Sequence, residues 1–137
     1  MAYSHYGMPY IYLAIDPKAY YEGAEEIKVK IGITESMGAR RRSNLKNFGV
    51  DSEPVRSYGE EYLLPFTIAD NLVSIEKKML RWLASVPTAR PYLGEGSGHT
   101  EVFYINQAHI EEVRTTFHER VTKLKKSFEI FEKTLDI

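Results

Sequence analysis

Two short stretches in which apolar residues alternate with other residues constrain the fold of this chain most strongly. Residues 10–15 (YIYLAI) and residues 27–33 (IKVKIGI) place an apolar side chain at every second position, which is the period of a half-buried β-strand. Asp16-Pro17 ends the first stretch, and residues 16–26 are expected to form a polar loop. An antiparallel hairpin is therefore predicted. Its buried face would carry Ile11, Leu13, Ile15, Ile27, Val29, Ile31 and Ile33, and its other face Tyr10, Tyr12, Lys28, Lys30 and Gly32.

The rest of the chain alternates between predicted helices and strands. In chain order, the elements are a helix over residues 37–47, a strand over 61–66, a helix from Asp70 to about residue 85, a strand over 101–105 and a helix over 107–135. Ser36 and Asn106 are the expected N-caps of the first and last helices, and Gly49 is the expected stop of the first. Met37, Leu45 and Phe48 would form the apolar side of that first helix. The predicted fold is α+β, with a short central antiparallel sheet flanked by helices and a long C-terminal helix.

Length and composition limit the kinds of site that the chain can carry. A chain of 137 residues is expected to form one domain. It contains no cysteine, which excludes disulfides, thiolate catalysis and cysteine-ligated metal sites. Neither a secretory signal pattern nor an apolar run long enough to span a membrane occurs, so a cytoplasmic location is expected. A functional site must therefore be built from oxygen and nitrogen groups.

Basic residues are concentrated in one part of a chain whose formal net charge is only −1. Between residues 28 and 46, six basic residues stand against one acidic residue, Glu35. The six are Lys28, Lys30, Arg40, Arg41, Arg42 and Lys46. This concentration favours a surface that faces phosphate groups, and a solvated helix face is the alternative interpretation.

One carboxylate is predicted to lie on the apolar side of its helix. At about 100° per residue, Glu76 falls in the middle of the face that carries Leu72, Leu80 and Leu83. An unpaired buried carboxylate costs several kcal/mol, so Glu76 needs a cation, hydrogen-bond donors or a proton. An ion pair with an arginine of the basic helix or a partly open helix would satisfy it, and so would a divalent metal ion.

Taken together, these elements resemble the GIY-YIG nuclease superfamily, in particular its small phage and mobile-element branch. Tyr10-Ile11-Tyr12 lies where that family has GIY, and Lys30-Ile31-Gly32 lies where it has YIG. Arg40 follows Lys30 by ten residues, as the family arginine follows its tyrosine, and Glu76 matches the family glutamate. Residues 100–105 (TEVFYI) are similar to the closing strand of the branch, so the resemblance covers about residues 10–105. This chain departs from the pattern at Tyr10 and Lys30, and at Asn44, where many relatives have histidine.

The resemblance implies a metal-dependent endonuclease that hydrolyses or nicks DNA. Glu76 would hold one divalent ion, Mg²⁺ or Mn²⁺, and Arg40 would clamp the scissile phosphate, with Arg41 as its rival. Tyr12 or Lys30 would take a proton from the attacking water. The expected DNA contacts are Lys28, Gly32, Arg41, Arg42, Asn44 and Lys46, with Gly32 leaving room for the phosphate. Glu101 is expected to be a hydrogen-bonding strand residue and His99 a loop residue.

Two other functions are compatible with the sequence. The departures from the family motifs favour a catalytically inactive relative that binds nucleic acid. The second alternative is a homodimeric interaction protein, because the last helix has one long apolar stripe that could dock on the domain or pair with a second copy. The stripe consists of Ile110, Val113, Phe117, Val121, Leu124, Phe128, Phe131 and Leu135.

Overall fold

A computed structural model describes residues 10–51, 61–63, 72–95 and 99–135 of the chain. The elements are β1 (Tyr10–Ile15), α1 (Pro17–Glu22), β2 (Glu26–Thr34), α2 (Met37–Phe48), β3 (Glu61–Leu63), α3 (Leu72–Ser85), β4 (Arg90–Pro91), β5 (Val102–Asn106) and α4 (Gln107–Leu135). A 3₁₀ turn, His99–Glu101, precedes β5. The predicted α+β class is confirmed. Asp70, the expected cap of α3, lies outside the described residues.

The predicted hairpin strands lie next to each other inside a five-stranded sheet of order β3-β1-β2-β5-β4. All of its strand pairs are antiparallel. In the β1–β2 pair, Tyr12 lies opposite Gly32 and Ala14 lies opposite Lys30. On the other side of β2, Lys30 lies opposite Val102 of β5. Lys30 is therefore on the middle strand of the sheet, with a hydrogen-bonded strand on each side.

A short helix replaces the polar loop expected between the first two strands. The Asp16 side chain accepts a hydrogen bond from the backbone N–H of Ala19 at 3.1 Å, and Pro17 occupies the first helical turn. The helix ends at Gly23, whose φ of 69° is left-handed. Each of these signals is local, and a helix of six residues is too short to show an apolar period.

The sheet carries a different buried cluster on each face. The first consists of Ile11, Leu13, Ile15, Ile27, Val29, Ile31, Met79, Leu83, Ile105, Ile110, Val113, Phe117 and Val121. It joins the apolar positions of the hairpin to α3 and the first half of α4. The second consists of Tyr12, Ala14, Phe48, Val50 and Val102, with Tyr92 packed against it. Strand parity thus separates the two faces as the sequence predicted.

Local signals set most helix boundaries. Gly49 ends α2 with a left-handed φ of 68°, and the Asn106 side chain accepts a hydrogen bond from the backbone N–H of Ala108 at 2.9 Å to cap α4. Ser36 precedes α2 as expected, although its side chain makes no capping hydrogen bond. Within the described part of the chain, no helix is both long enough and apolar enough to cross a membrane.

Candidate functional site

The ring of Tyr12 lies across the backbone of Gly32 on the second face of the sheet. The two residues are paired across β1 and β2. A Cβ atom added at Gly32 would lie 2.3 Å from Tyr12 Oη and 2.6 Å from its Cζ, so any side chain there would displace the ring. Gly32 was expected to leave room for a phosphate. In the structure, the tyrosine ring takes that room.

Lys30 is a buried cation held by polar groups from three other elements. Its Nζ donates hydrogen bonds to Tyr12 Oη at 2.7 Å and to Asn44 Oδ1 at 2.8 Å. The carboxylate oxygen Oε2 of Glu101 lies 3.6 Å from the same Nζ. Because only 1% of Lys30 is exposed, these partners replace the water that an ammonium group would otherwise bind. We call Tyr12, Lys30, Asn44, Glu76 and Glu101 the lysine cluster.

Asn44 lies on α2 and is a buried member of the lysine cluster. Only 2% of the residue is exposed, and its amide oxygen faces Lys30. Phe48, one helical turn later, packs on the same side of the sheet, whereas Leu45 is 44% exposed. The expected apolar side of α2 was therefore wrong at Leu45. Asn44 was expected to contact DNA, and the structure places it beneath Lys30, where it can position the amine.

Glu76 and Glu101 bring two carboxyl groups together beside Lys30. Burial raises the pKa of Glu76 to about 7, and the negative charge of Glu101 and a hydrogen bond between the two carboxyl groups add to this rise. The positive charges of Lys30 and Arg40 oppose it. The pair therefore holds a proton near neutral pH, or would hold a cation in its place.

Burial also changes the proton affinity of Tyr12 and Lys30. It raises the pKa of Tyr12 to about 12, although a hydrogen bond with Asn44 and the positive charge of Arg40 oppose this rise. The negative charges of Glu101 and Glu76 add to it. Burial lowers the pKa of Lys30, although Glu101 partly offsets this by favouring the ammonium form. Tyr12 is therefore a neutral phenol at neutral pH, and its oxygen accepts the hydrogen bond from Lys30.

The two candidate arginines occupy different surroundings. Arg41 Nε donates a hydrogen bond to Asp51 Oδ1 at 2.9 Å, and its Nη2 donates one to Asp51 Oδ2 at 3.3 Å. Asp51 also pairs with Ile15 at the end of β1, so Arg41 connects α2 to this end of the strand. Arg40 is half-buried, and its positive charge acts on the pKa values of Tyr12, Lys30 and Glu76. Arg40 is therefore the arginine that contributes to the electrostatics of the lysine cluster.

The remaining basic residues of the patch are more open to solvent than Lys30. Lys28 is half-buried, with its Nζ 5.9 Å from the ring centroid of Tyr92. Arg42 and Lys46 are exposed on α2. They are the expected DNA contacts whose side chains are open to solvent.

Glu101 was expected to be a hydrogen-bonding strand residue, and Glu76 alone was predicted to be the metal-binding glutamate. Val102 pairs with Lys30, so a strand residue next to Val102 would point to the opposite face of the sheet. Glu101 belongs instead to the 3₁₀ turn before β5, and its carboxylate reaches Lys30. The His99 side chain lies outside the described part of the structure.

The side chains present are compatible with one hard divalent cation. Among the described residues, no group of three or more histidine, cysteine, aspartate or glutamate side chains could hold a metal ion. The Glu76–Glu101 pair nevertheless supplies carboxylate oxygens, and Mg²⁺ is commonly bound by one or two carboxylates with water completing its shell. Comparison of the chain with protein-family models, curated proteins and solved structures finds no match.

Proposed function

We propose that this protein is a metal-dependent DNA endonuclease of the GIY-YIG type, acting in the cytoplasm, which hydrolyses or nicks phosphodiester bonds. The lysine cluster is the observation that carries the proposal. It brings a phenol, a buried amine and two carboxyl groups together, under the positive charge of Arg40. Groups of these kinds can catalyse phosphodiester hydrolysis as a proton acceptor, a cation for the phosphate and a carboxylate that holds a metal ion.

Glu76, with Glu101 beside it, is the residue that would hold one Mg²⁺ or Mn²⁺ ion. A bound divalent ion would supply positive charge to a phosphate oxygen and to the departing 3′ oxygen. The raised pKa of Glu76 fits this role, because a carboxyl pair that binds a proton near neutral pH gains by exchanging it for a cation.

The chain's own residues would position the substrate and move the proton. Arg40 would bind the scissile phosphate and stabilise its extra charge in the transition state. The phenolate form of Tyr12, which predominates only above its pKa of about 12, would receive the proton of the attacking water, with Lys30 stabilising its oxygen through the 2.7 Å hydrogen bond. Asn44 would hold the Lys30 amine in that position. Because the pKa of Tyr12 is about 12, the nicking rate should rise with pH well above neutrality.

Nicking of supercoiled plasmid in the presence of Mg²⁺ tests the proposal. We expect Glu76→Gln and Arg40→Gln to abolish nicking while DNA binding persists, because the scaffold and the exposed basic residues are kept. Glu119→Gln, an exposed glutamate on α4, is the matched control and should cut as the wild type does. Nicking that survives Glu76→Gln would contradict the assignment.

Lys30 is the rival proton acceptor, and an unnatural tyrosine separates the two. A fluorinated tyrosine at position 12 has a more acidic phenol. If Tyr12 accepts the proton, the pH–rate curve should shift to lower pH in this variant. An unchanged curve would indicate that Lys30, whose pKa is lowered by burial, accepts the proton of the attacking water.

A catalytically inactive DNA-binding protein is the second candidate function. The observation that favours it is the raised pKa of Tyr12, because burial keeps the phenol protonated and inert. In that case, the protein would bind DNA but would not cut it with either Mg²⁺ or Mn²⁺ at any pH.

A homodimer formed through α4 is compatible with both functions. The first half of α4 is used in the monomer core, where Val113, Phe117 and Val121 are buried. The apolar pattern continues beyond it at Phe128, Phe131 and Leu135. We expect sedimentation to reveal a concentration-dependent dimer that Phe131→Glu weakens.

A further inference from the structure

A cavity of about 340 Å³ adjoins the lysine cluster on the β5 side. The described residues that line it are Pro91, Tyr92, Leu93, Gly94, Thr100 and Val102. Thr100 and Val102 stand on either side of Glu101 in the chain, and Val102 is paired with Lys30. Two residues that line the cavity are thus the chain neighbours of Glu101, whose carboxylate lies beside the buried amine.

The wall of the cavity is an aromatic ring held in place from several sides. The Tyr92 ring packs edge-to-face on Phe48, with centroids 5.6 Å apart, and lies 6.1 Å from the centroid of Tyr104. A Cβ atom added at Gly94 would lie 2.1 Å from Tyr92 Oη and 2.2 Å from its Cζ. The loop therefore depends on a glycine at position 94 to accommodate this ring.

The cavity also has an exposed apolar rim. Leu93 is 86% exposed, although it is a large apolar residue next to a concave site. The six lining residues include no charged side chain. Its volume is at the lower end of the range for pockets that hold small ligands. Such a site favours a flat, largely apolar group over a free ion.

Positive charge lies next to this uncharged cavity. The Nζ of Lys28 is 5.9 Å from the Tyr92 ring centroid, and Lys30 is on the neighbouring strand position of the same face. A nucleotide has the complementary composition, because a flat base is joined through its sugar to an anionic phosphate. A phosphate bound by the half-buried Lys28 would leave its base within reach of the cavity, whereas the buried Lys30 would contribute only its charge.

We propose that this cavity binds one unstacked base of the DNA, the base next to the phosphate that is cut. The inference rests on the proposed nuclease function and adds a specificity determinant to it. Taking a base out of the stack costs the free energy of its stacking and pairing. This cost is smallest where the base is already mismatched. The protein should therefore prefer DNA that contains a mismatch at that one position.

Duplexes that carry 2-aminopurine test the proposal without relying on cutting. The fluorescence of this base rises when it leaves the stack, so the label is moved one position at a time around the cut site. The protein carries Glu76→Gln to keep the DNA intact. We expect a rise at one position only. The rise should be lost with Gly94→Ala, which displaces the Tyr92 ring, and reduced with Leu93→Ala.

The matched control is Tyr21→Ala. Tyr21 is also a large exposed residue, 72% exposed, but it lies on α1, whose Ala19 and Tyr20 pack against the other face of the sheet. This variant should keep the full fluorescence rise. In the cutting-competent protein, Gly94→Ala should lower cleavage of matched DNA by about 10-fold and cleavage of DNA mismatched at that position much less.

The possible results separate this inference from the proposed function. Cutting and binding without a fluorescence rise at any position would overturn the base site and leave the nuclease in place. The base site would likewise be overturned if Gly94→Ala and Leu93→Ala both behaved like Tyr21→Ala. A protein that neither binds nor cuts DNA would overturn both.

Discussion

The two faces of the central sheet are built from the same strands and have opposite chemistry. On the first face, buried aliphatic and aromatic side chains from β1, β2, α3 and α4 pack together. On the second face, the buried groups include the Lys30 amine, the Tyr12 hydroxyl and the Asn44 amide. The polar groups buried on the second face are shielded from water, so each needs a hydrogen-bond partner within the protein. The hydrogen bonds from Lys30 to Tyr12 and Asn44 provide partners for the amine, the hydroxyl oxygen and the amide oxygen.

Burial therefore has different consequences on the two faces. Apolar burial on the first face contributes to stability in proportion to the area removed from water. Burial of charge on the second face contributes little net stability, because desolvation offsets the attraction between the groups. It does change proton affinities, as the pKa values of Tyr12 and Glu76 show. The two faces should respond differently to substitution.

The largest effect is expected on the apolar face. Phe117 is fully buried there, and Phe117→Ala removes a ring from a packed core. We expect the free energy of unfolding to fall by about 3–5 kcal/mol, measured by urea denaturation. Tyr21→Ala on the exposed side of α1 is the control and should change it little. A loss below about 1 kcal/mol would mean that the core can collapse around the missing ring.

A smaller effect is expected where the backbone of the second face meets Tyr12. Gly32→Ala places a Cβ atom 2.3 Å from Tyr12 Oη and should cost about 1–3 kcal/mol, because the ring is held by Lys30 and cannot move freely. Gly38→Ala is the matched control. The nearest atom to a Cβ there is Arg42 Nη1 at 3.8 Å, and alanine in helix α2 should stabilise the protein by about 0.5–1 kcal/mol. Opposite signs at the two glycines would support the geometry, and equal signs would contradict it.

The pH dependence of stability provides the next test. The pKa of Glu76 is raised in the folded protein, so its proton stabilises the fold. That contribution is complete below about pH 4.5 and is lost as the pH rises through about 7. Glu76→Gln removes the carboxylate charge that destabilises the fold at pH 8, so it should raise the free energy of unfolding there. Solvent screens the half-buried group, which limits the expected gain to about 1–2 kcal/mol. At pH 4 the two proteins should have the same stability.

Mg²⁺ extends this test to the proposed metal site. At pH 8 the ion should stabilise the wild type, because a ligand that binds only the folded state shifts the equilibrium by mass action. Glu76→Gln should show no such gain. Equal stabilisation of both proteins would indicate that the ion binds elsewhere.

The first face could be predicted from the sequence because its pattern is local. Alternation within residues 10–15 and 27–33 fixes which side chains share a face, whatever the rest of the chain does. The same parity placed Tyr12, Lys30 and Gly32 together. Local signals likewise predicted the end of α2 at Gly49 and the start of α4 after Asn106.

Some residues of the lysine cluster could not be placed from the sequence, because their positions depend on features that no local pattern contains. The sequence of α2 is polar on most of its circumference, so its period does not reveal that Asn44 points inward and Leu45 outward. Glu101 reaches Lys30 only because a 3₁₀ turn interrupts the strand alternation before β5. The partner of Arg41 is Asp51, which sequence reasoning could not connect to α2. Each of these is a tertiary contact.

The smallest effect is expected for a polar pair at the exposed end of the second face, where Glu26 shares the strand parity of Lys28 and Lys30. Arg90 on β4 donates two hydrogen bonds to the Glu26 carboxylate, at 2.9 and 2.8 Å. Lys30 also donates two hydrogen bonds, to Tyr12 and Asn44. Both partners are largely exposed, so water replaces the contact when it is removed. We expect Glu26→Gln to leave the urea midpoint unchanged, whereas Asn44→Ala should lower it, because the buried amine then loses an acceptor that water cannot replace. If the two variants shift the midpoint equally, the hydrogen bonds themselves and not their burial would set the stability of the second face.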